Sequence, residues 1–119
     1  MNKLILSGRI YKEIEYKETS TGSRYAIVSI FIPRQYKNQN GERESDFFAV
    51  KVFGKSVDIL QYFSNGSPIT FECNVRNSNY EKNDGTKVYG YDFIAESVLF
   101  PPEKKQNKTE LKESEFPLV

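Results

Sequence analysis

The chain has 119 residues, and its 17 basic and 16 acidic side chains leave a formal net charge of +1, which argues against nucleic-acid binding by a basic surface alone. It contains no His and a single Cys, which excludes a Cys/His zinc site, a His-based catalytic triad and an internal disulfide. Its aromatic content is high, with nine Phe and eight Tyr but no Trp.

Residues 1–100 have the pattern of β-strands, because β-branched and aromatic residues recur with a period of two and turn-forming residues separate the runs. In chain order, the predicted strands span residues 4 to about 16, 25–32, 46–53, 69–76 and 87–100. Gly8 allows a bend in the first strand, and Pro33 weakens the end of the second. Asn40-Gly41 and Asp84-Gly85 are typical of hairpin turns.

A single segment breaks this pattern. Val57, Leu60 and Phe63 fall at helical spacing, and Pro68 prevents the helix from continuing. The predicted order is therefore three strands, one short helix and two strands, which is the connectivity of the OB-fold, a five-stranded Greek-key barrel. This predicts an all-β fold with the helix between strands three and four. A small SH3-like barrel or an open sheet is the alternative that periodicity leaves open.

Residues 101–119 differ from the rest of the chain. Two prolines stop the fifth predicted strand, and residues 103–114 are almost all polar or charged. Such a composition cannot bury enough apolar surface to offset its ordering entropy, so we predict a disordered tail after a single domain of residues 1–100. The tail closes on a short acidic and apolar tip.

The third predicted strand carries more large apolar side chains than a barrel core needs. Alternation assigns Phe48 and two valines to the core side, which leaves Phe47 and Phe53 facing outwards with Lys51 between them. One interpretation is an oligomer interface or packing beneath a loop. The other is a platform on which unpaired nucleotide bases stack, with Lys51 supplying charge for the backbone.

Both predicted hairpins also combine a tyrosine with cations, which is the mixture that a loop gripping a nucleic-acid strand requires. The candidate base-stacking residues are Tyr36, Phe47, Phe53 and Tyr80. The candidate phosphate contacts are Arg34, Lys37, Lys51, Arg76, Lys82 and Lys87. Ordinary solvated loops explain either hairpin alone, but two of them beside an aromatic face favour a binding surface. Because Glu42, Glu44 and Glu81 lie close to it, we expect binding to depend only modestly on salt.

The same residues argue against other functions. No apolar run approaches the 18 residues that a membrane span needs, and the N-terminal apolar stretch is too short for a signal peptide, so we expect a cytoplasmic protein without a membrane partner. No paired carboxylates form a recognisable catalytic arrangement, so we expect no enzyme, no metal and no cofactor. Cys73 alternates with core residues and is interpreted as a buried apolar side chain.

Several short motifs resemble those of bacterial and bacteriophage single-stranded DNA-binding proteins (SSB). Residues 2–10 are similar to the family's N-K-hydrophobic-x-L-x-G-R-L start, residues 41–47 resemble its G-E-x-x-x-[DE]-[FW] run, and residues 52–55 resemble its junction into the helix. The remaining positions of the family's pattern are matched, in the same order, by Gly66-Ser67, Asn74-Val75-Arg76, Tyr80, Gly85 and Tyr89. The resemblance covers about residues 2–100.

The resemblance implies an OB-fold that binds single-stranded DNA independently of sequence in replication, recombination and repair. By position, the family's base-stacking aromatics fall on the four residues chosen above from the pattern. Family members commonly form homotetramers through their first strands, so we expect a homo-oligomer, with a tetramer favoured over a dimer. Ile5, Ile27 and Phe31 are outward-facing candidates for such contacts, and they compete with DNA for the same face.

The family's tail tip docks onto replication and recombination proteins, and its counterparts here are Glu113, Glu115, Phe116 and Pro117. Phe precedes Pro in this chain, and two further residues follow. The short tail resembles phage-encoded forms, which implies the cytoplasm of a host cell. Two alternatives stay open: an OB-fold protein-interaction module such as a primosome component, and an OB-fold that binds RNA or oligosaccharide.

Overall fold

Six strands of the protein form one sheet that closes on itself, as seen in a computed structural model that describes residues 1–99. In chain order the elements are β1 (Leu4–Ile10), β2 (Glu15–Glu18), β3 (Arg24–Lys37), β4 (Arg43–Phe53), α1 (Ser56–Ile59), a 3-10 turn (Leu60–Tyr62), β5 (Pro68–Asn77), β6 (Tyr80–Glu81), β7 (Lys87–Val88) and β8 (Tyr91–Leu99). The strand order is β1-β5-β8-β4-β3-β2, and β1 also pairs with β3. This second pairing of β1 turns the sheet into a barrel.

The topology confirms the predicted all-β barrel with one short helix. The helix lies between β4 and β5, which correspond to the third and fourth predicted strands. β4 and β8 run parallel, whereas the other paired strands are antiparallel. β6 and β7 form a separate two-stranded hairpin between β5 and β8. No helix within residues 1–99 is long and apolar enough to cross a membrane.

Four of the five predicted strands differ from the structure by more than one residue at a limit or by a break. The third begins at Arg43 instead of Asp46. The first strand is interrupted after Ile10 and resumes at β2, and the fifth is interrupted between β7 and β8. The second strand does not end at Pro33 but continues to Lys37. Its paired residues on β1 reach only as far as Phe31, so beyond this point β3 has β4 as its neighbour and tolerates a residue without an N–H.

The barrel core is built from the inward-facing, alternating residues of β1, β3, β4, β5 and β8. Its fully buried members include Val28, Ile30, Val50, Val52, Ile69 and Phe71. Val57 and Leu60 add the buried face of the helical segment to the same cluster. Cys73 is also buried, as predicted, and burial raises the pKa of its thiol to about 11, so the thiol is neutral at physiological pH.

Gly8 lies where β1 crosses from β5 to β3. A Cβ at this position would lie 2.5 Å from the carbonyl oxygen of Phe31 and 2.9 Å from Cγ1 of Ile32. The carbonyl belongs to the backbone of β3 and cannot rotate away as a side chain can. Closure of the barrel therefore requires a residue without a side chain at this point.

We predict that Gly8→Ala lowers the free energy of unfolding by about 1–3 kcal/mol, because the methyl group forces β1 away from β3. The matched control is Gly90→Ala, whose Cβ would lie 3.5 Å from the carbonyl oxygen of Ser78, an ordinary contact distance. Urea unfolding followed by circular dichroism measures both variants. Equal stability of the two variants would contradict the requirement for glycine at the closure.

Candidate nucleic-acid interface

The outer face of the β3–β4 ribbon carries aromatic residues in opposed positions. Tyr25 is the cross-strand partner of Phe53, and Phe31 is the partner of Phe47. Since opposed residues of an antiparallel pair project to the same side of the sheet, all four side chains share the face directed away from the core. Phe47 and Phe53 therefore face outwards, as the alternation predicted.

Phe47 belongs to a group of three rings, here called the Phe47 cluster (Tyr11, Phe31 and Phe47). The ring centroids of Tyr11 and Phe47 are 5.1 Å apart with an interplanar angle of 78°, and Phe31 lies 6.4 Å from each of the other two. The two edge-to-face contacts of Tyr11 stabilise the cluster beyond its buried area, and the rings of Phe31 and Phe47 are tilted by 39°. Phe47 is nevertheless 61% exposed, so much of its ring stays available to a ligand.

Phe53 belongs to a different arrangement, here called the Phe53 pair (Tyr25 and Phe53). Their ring centroids are also 5.1 Å apart, but the interplanar angle is only 21°, so the rings are stacked. Phe53 is 41% exposed. The six-residue step along β4 separates this pair from the Phe47 cluster by about 20 Å.

Lys51 lies between the two aromatic groups, but its charge is already partnered. Its Nζ donates to Oδ2 of Asp92 on β8 at 3.3 Å, and both side chains are about one-third exposed. Asp92 was not among the predicted site residues. The cation that the sequence assigned to a phosphate is therefore held by a carboxylate of the barrel itself.

The end of the β3–β4 ribbon contains a large bulge. Residues 34–36 of β3 face the single residue 44 of β4, because the pairs Pro33–Ser45 and Lys37–Arg43 flank them. Bulges of this kind redirect side chains. The bulge contains Arg34 and Tyr36, two of the three predicted contacts of this hairpin, and the third, Lys37, is paired with Arg43 at its end.

Within the bulge, the guanidinium group of Arg34 donates hydrogen bonds to two carboxylates. Its Nη2 and Nε donate to Asp46, the former at 2.8 Å, and its Nη1 donates to Glu44 at 3.1 Å. The hydrogen bond from Arg34 lowers the pKa of the Asp46 carboxyl and raises the pKa of Arg34 itself. Tyr36, in contrast, points into solvent with 77% of its surface exposed.

The β6–β7 hairpin presents the fourth predicted aromatic residue. Tyr80 is 58% exposed and lies opposite Val88. Asp84 closes the turn by accepting a hydrogen bond from the backbone N–H of Thr86, which lowers the pKa of its carboxyl. On this hairpin Lys82 and Lys87 project from a ribbon that is separate from the barrel sheet.

The predicted phosphate contacts thus fall into two groups. Arg34 and Lys51 form ion pairs, and Nε of Arg76 donates to Oδ1 of Asn74 at 3.3 Å. In the part of the chain that the structure describes, no carboxylate lies within ion-pair distance of Lys37, Lys82 or Lys87.

The structure brings Phe47, Lys51 and Phe53 together on one face, whereas Tyr36 and Tyr80 lie on two different hairpins. Sequence reasoning missed Tyr11 and Tyr25 as ring partners. The signal for Tyr25 was its outward position in the alternating second strand, but its opposition to Phe53 depends on the register.

The predicted tail residues Glu113, Glu115, Phe116 and Pro117 lie outside the described residues. No group of three His, Cys, Asp or Glu side chains within residues 1–99 is arranged to hold a metal ion.

Comparison with solved structures identifies the barrel. It is similar to the Plasmodium falciparum SSB in complex with single-stranded DNA, with a TM-score of 0.69, 18% identity and coverage of 86% of this chain and 96% of the other. It is also similar to the Saccharomyces cerevisiae mitochondrial single-stranded DNA-binding protein Rim1, with a TM-score of 0.65, 21% identity and coverage of 82% and 92%. These likenesses confirm the predicted OB-fold.

Sequence comparison identifies the family. Residues 1–101 match the model of the single-strand binding protein family. Single-stranded DNA-binding protein 2 of Listeria monocytogenes is 35% identical over 108 residues, which cover 90% of this chain and 68% of that protein. Single-stranded DNA-binding protein 1 of Staphylococcus aureus strain COL is 32% identical over 119 residues, covering 98% and 71%. The chain belongs to the single-strand binding protein family, which confirms the resemblance in its motifs.

Proposed function

We propose that the protein binds single-stranded DNA independently of sequence, by stacking bases on the outer face of β3 and β4. The observation that carries the proposal is the pair of exposed aromatic groups on this face, about 20 Å apart along one strand. Every base has a π-face, so stacking on Phe47 and Phe53 is tolerant of sequence, and each stacked base contributes about 1–3 kcal/mol.

Tyr36 and Tyr80 extend this surface onto the two hairpins, where both rings are exposed. Phosphates bind first to Lys37, Lys82 and Lys87, the predicted lysine contacts that have no carboxylate within ion-pair distance among residues 1–99. Arg34 and Lys51 contribute only when a phosphate replaces their carboxylates, and Arg76 when it replaces Asn74. Since a phosphate is exchanged for a carboxylate at Arg34 and Lys51, the net gain in affinity from these two cations is small.

The family supports this proposal over its alternatives. Its members in Listeria and Staphylococcus are named for single-stranded DNA, which favours DNA over an RNA or oligosaccharide ligand and over a protein-interaction module. We propose protection of single-stranded DNA during replication, recombination and repair as the role, without catalysis. The thiol of Cys73 is buried, so it is not an accessible nucleophile.

Further proposals concern assembly and cellular setting. A homo-oligomer, with a tetramer favoured over a dimer, is consistent with the exposed Ile5 on β1. Docking of replication or recombination proteins on the tail tip, and a phage origin with action in the host-cell cytoplasm, follow from the resemblance of the tail. Light scattering with and without oligo(dT) of graded length measures the oligomer size and the site size together.

The double variant Phe47→Ala/Phe53→Ala tests the stacking proposal. It removes one ring from each aromatic group, so we expect the affinity for oligo(dT) to fall tenfold or more. Fluorescence anisotropy of labelled oligo(dT) gives the affinity, and light scattering checks that the oligomer is unchanged. The matched control is Tyr16→Ala, which removes an exposed ring opposite Ala26, on the other side of the ribbon from Phe53. Unchanged affinity of the double variant would reject the platform.

Asp92→Asn tests whether the Asp92 carboxylate competes with a DNA phosphate for the ammonium group of Lys51. Loss of the carboxylate frees the ammonium group for phosphate, so we expect tighter binding and a steeper salt dependence, by about 0.7 in the log–log slope. The control is Asp58→Asn, which makes the same charge change at an ion pair with Arg24 beside the helix. If both variants bind equally tightly, the effect is one of net charge and the specific competition is wrong.

A further inference from the structure

Tyr25 is the half-buried member of the Phe53 pair, and nothing in the motifs assigns it a role. We propose that Tyr25 is a further base-contacting residue, which forms with Phe53 one two-ring platform, and that Lys17 is the phosphate contact beside it. This inference rests on the proposed function, because it names additional residues of the same DNA-binding face.

The register between three strands supports this assignment. Tyr25 of β3 lies opposite Phe53 of β4 on one side and opposite Lys17 of β2 on the other. Opposed residues project to the same side, so the three side chains form a row across the outer face. The row thus joins two aromatic rings to a cation, which is the combination that a single-stranded nucleic acid requires.

The ring geometry separates this row from the Phe47 cluster. In the Phe47 cluster, the ring of Tyr11 is inclined at 78° to that of Phe47 and at 69° to that of Phe31. These rings are therefore not parallel and do not form a stack with one another. In the Phe53 pair the rings are 21° from parallel at 5.1 Å, which is an offset stack. A base added to either outer side of a parallel pair continues the stack.

The charge beside the Phe53 pair is only loosely held. Lys17 Nζ lies 3.8 Å from Glu15, close to the limit for an ion pair, and both side chains are nearly half exposed. A pair of this kind contributes little to stability. The ammonium group of Lys17 can therefore readily exchange Glu15 for a phosphate. Arg34 cannot do so as easily, because it makes several hydrogen bonds to two carboxylates.

The rival explanation is that Tyr25 only supports Phe53 from one side. A double-mutant cycle with Tyr25→Leu and Phe53→Leu separates the two roles, with affinity for oligo(dT) as the readout. If Tyr25 contacts a base, Tyr25→Leu weakens binding about fivefold or more even when Phe53 is already leucine. No further loss in the Phe53→Leu background would overturn the proposal, because Tyr25 would then act only through Phe53.

Three further variants complete the design. Tyr25→Phe keeps the ring and is expected to bind within about twofold of the unmodified protein. Tyr16→Leu changes a tyrosine on the same β2–β3 hairpin but on its other side, and is expected to leave binding unchanged. Lys17→Gln is expected to reduce the salt slope by about 0.7, and an unchanged slope would overturn the role of Lys17.

Photocrosslinking of the unmodified protein keeps the proposal testable if Tyr25→Leu does not fold. Oligo(dT) carrying a photoreactive thymine analogue is irradiated in complex with the protein, and mass spectrometry locates the linked residues. Adducts on Tyr25 are expected. Adducts on Phe53 and Phe47 without any on Tyr25 overturn this inference alone, whereas failure of the unmodified protein to bind oligo(dT) overturns the proposed function as well.

Discussion

The register between β3 and β4 determines both what the barrel buries and what it presents. Opposed residues of the two strands alternate between the core, as with Val28 and Val50, and the outer face, as with Tyr25 and Phe53. A slip of one residue in β4 would expose Val50 and Val52 and bury Phe47 and Phe53 against a core that has no room for them. The aromatic face proposed to bind DNA is thus a direct consequence of the packing that stabilises the fold.

The distribution of charge explains how a nearly neutral protein can bind a polyanion. Several cations near the aromatic face are neutralised within the protein, Arg34 by Asp46 and Glu44 and Lys51 by Asp92. In the proposed mechanism, stacking on exposed rings supplies most of the affinity, while the ion pairs hold the side chains of the bulge and the aromatic face in defined positions. A surface of this kind also favours exchange of the bound strand, since few phosphates must be released at once.

The fold could be predicted from local patterns, but the site only in part. Alternation located the strands, and the turn signals located the hairpins, because both depend on neighbours in sequence. The partners of the aromatic residues depend on register, and the bulge at residues 34–36 shifts that register by two residues relative to a count from the Asn40-Gly41 turn. For the same reason the ion pair between Lys51 and Asp92, 41 residues apart, left no local signal.

The most direct test of the account is the salt dependence of the affinity of the unmodified protein for a short oligo(dT). Each phosphate contact to single-stranded DNA contributes about 0.7 to the slope of log K against log salt. If Lys37, Lys82, Lys87 and the proposed contact Lys17 carry the electrostatic part and stacking carries the rest, the slope per protomer is about −3 and substantial affinity remains at high salt. A slope of about −5 or steeper, with binding lost at high salt, would mean that Arg34, Lys51 and Arg76 engage phosphates as well and would contradict a surface that binds mainly by stacking.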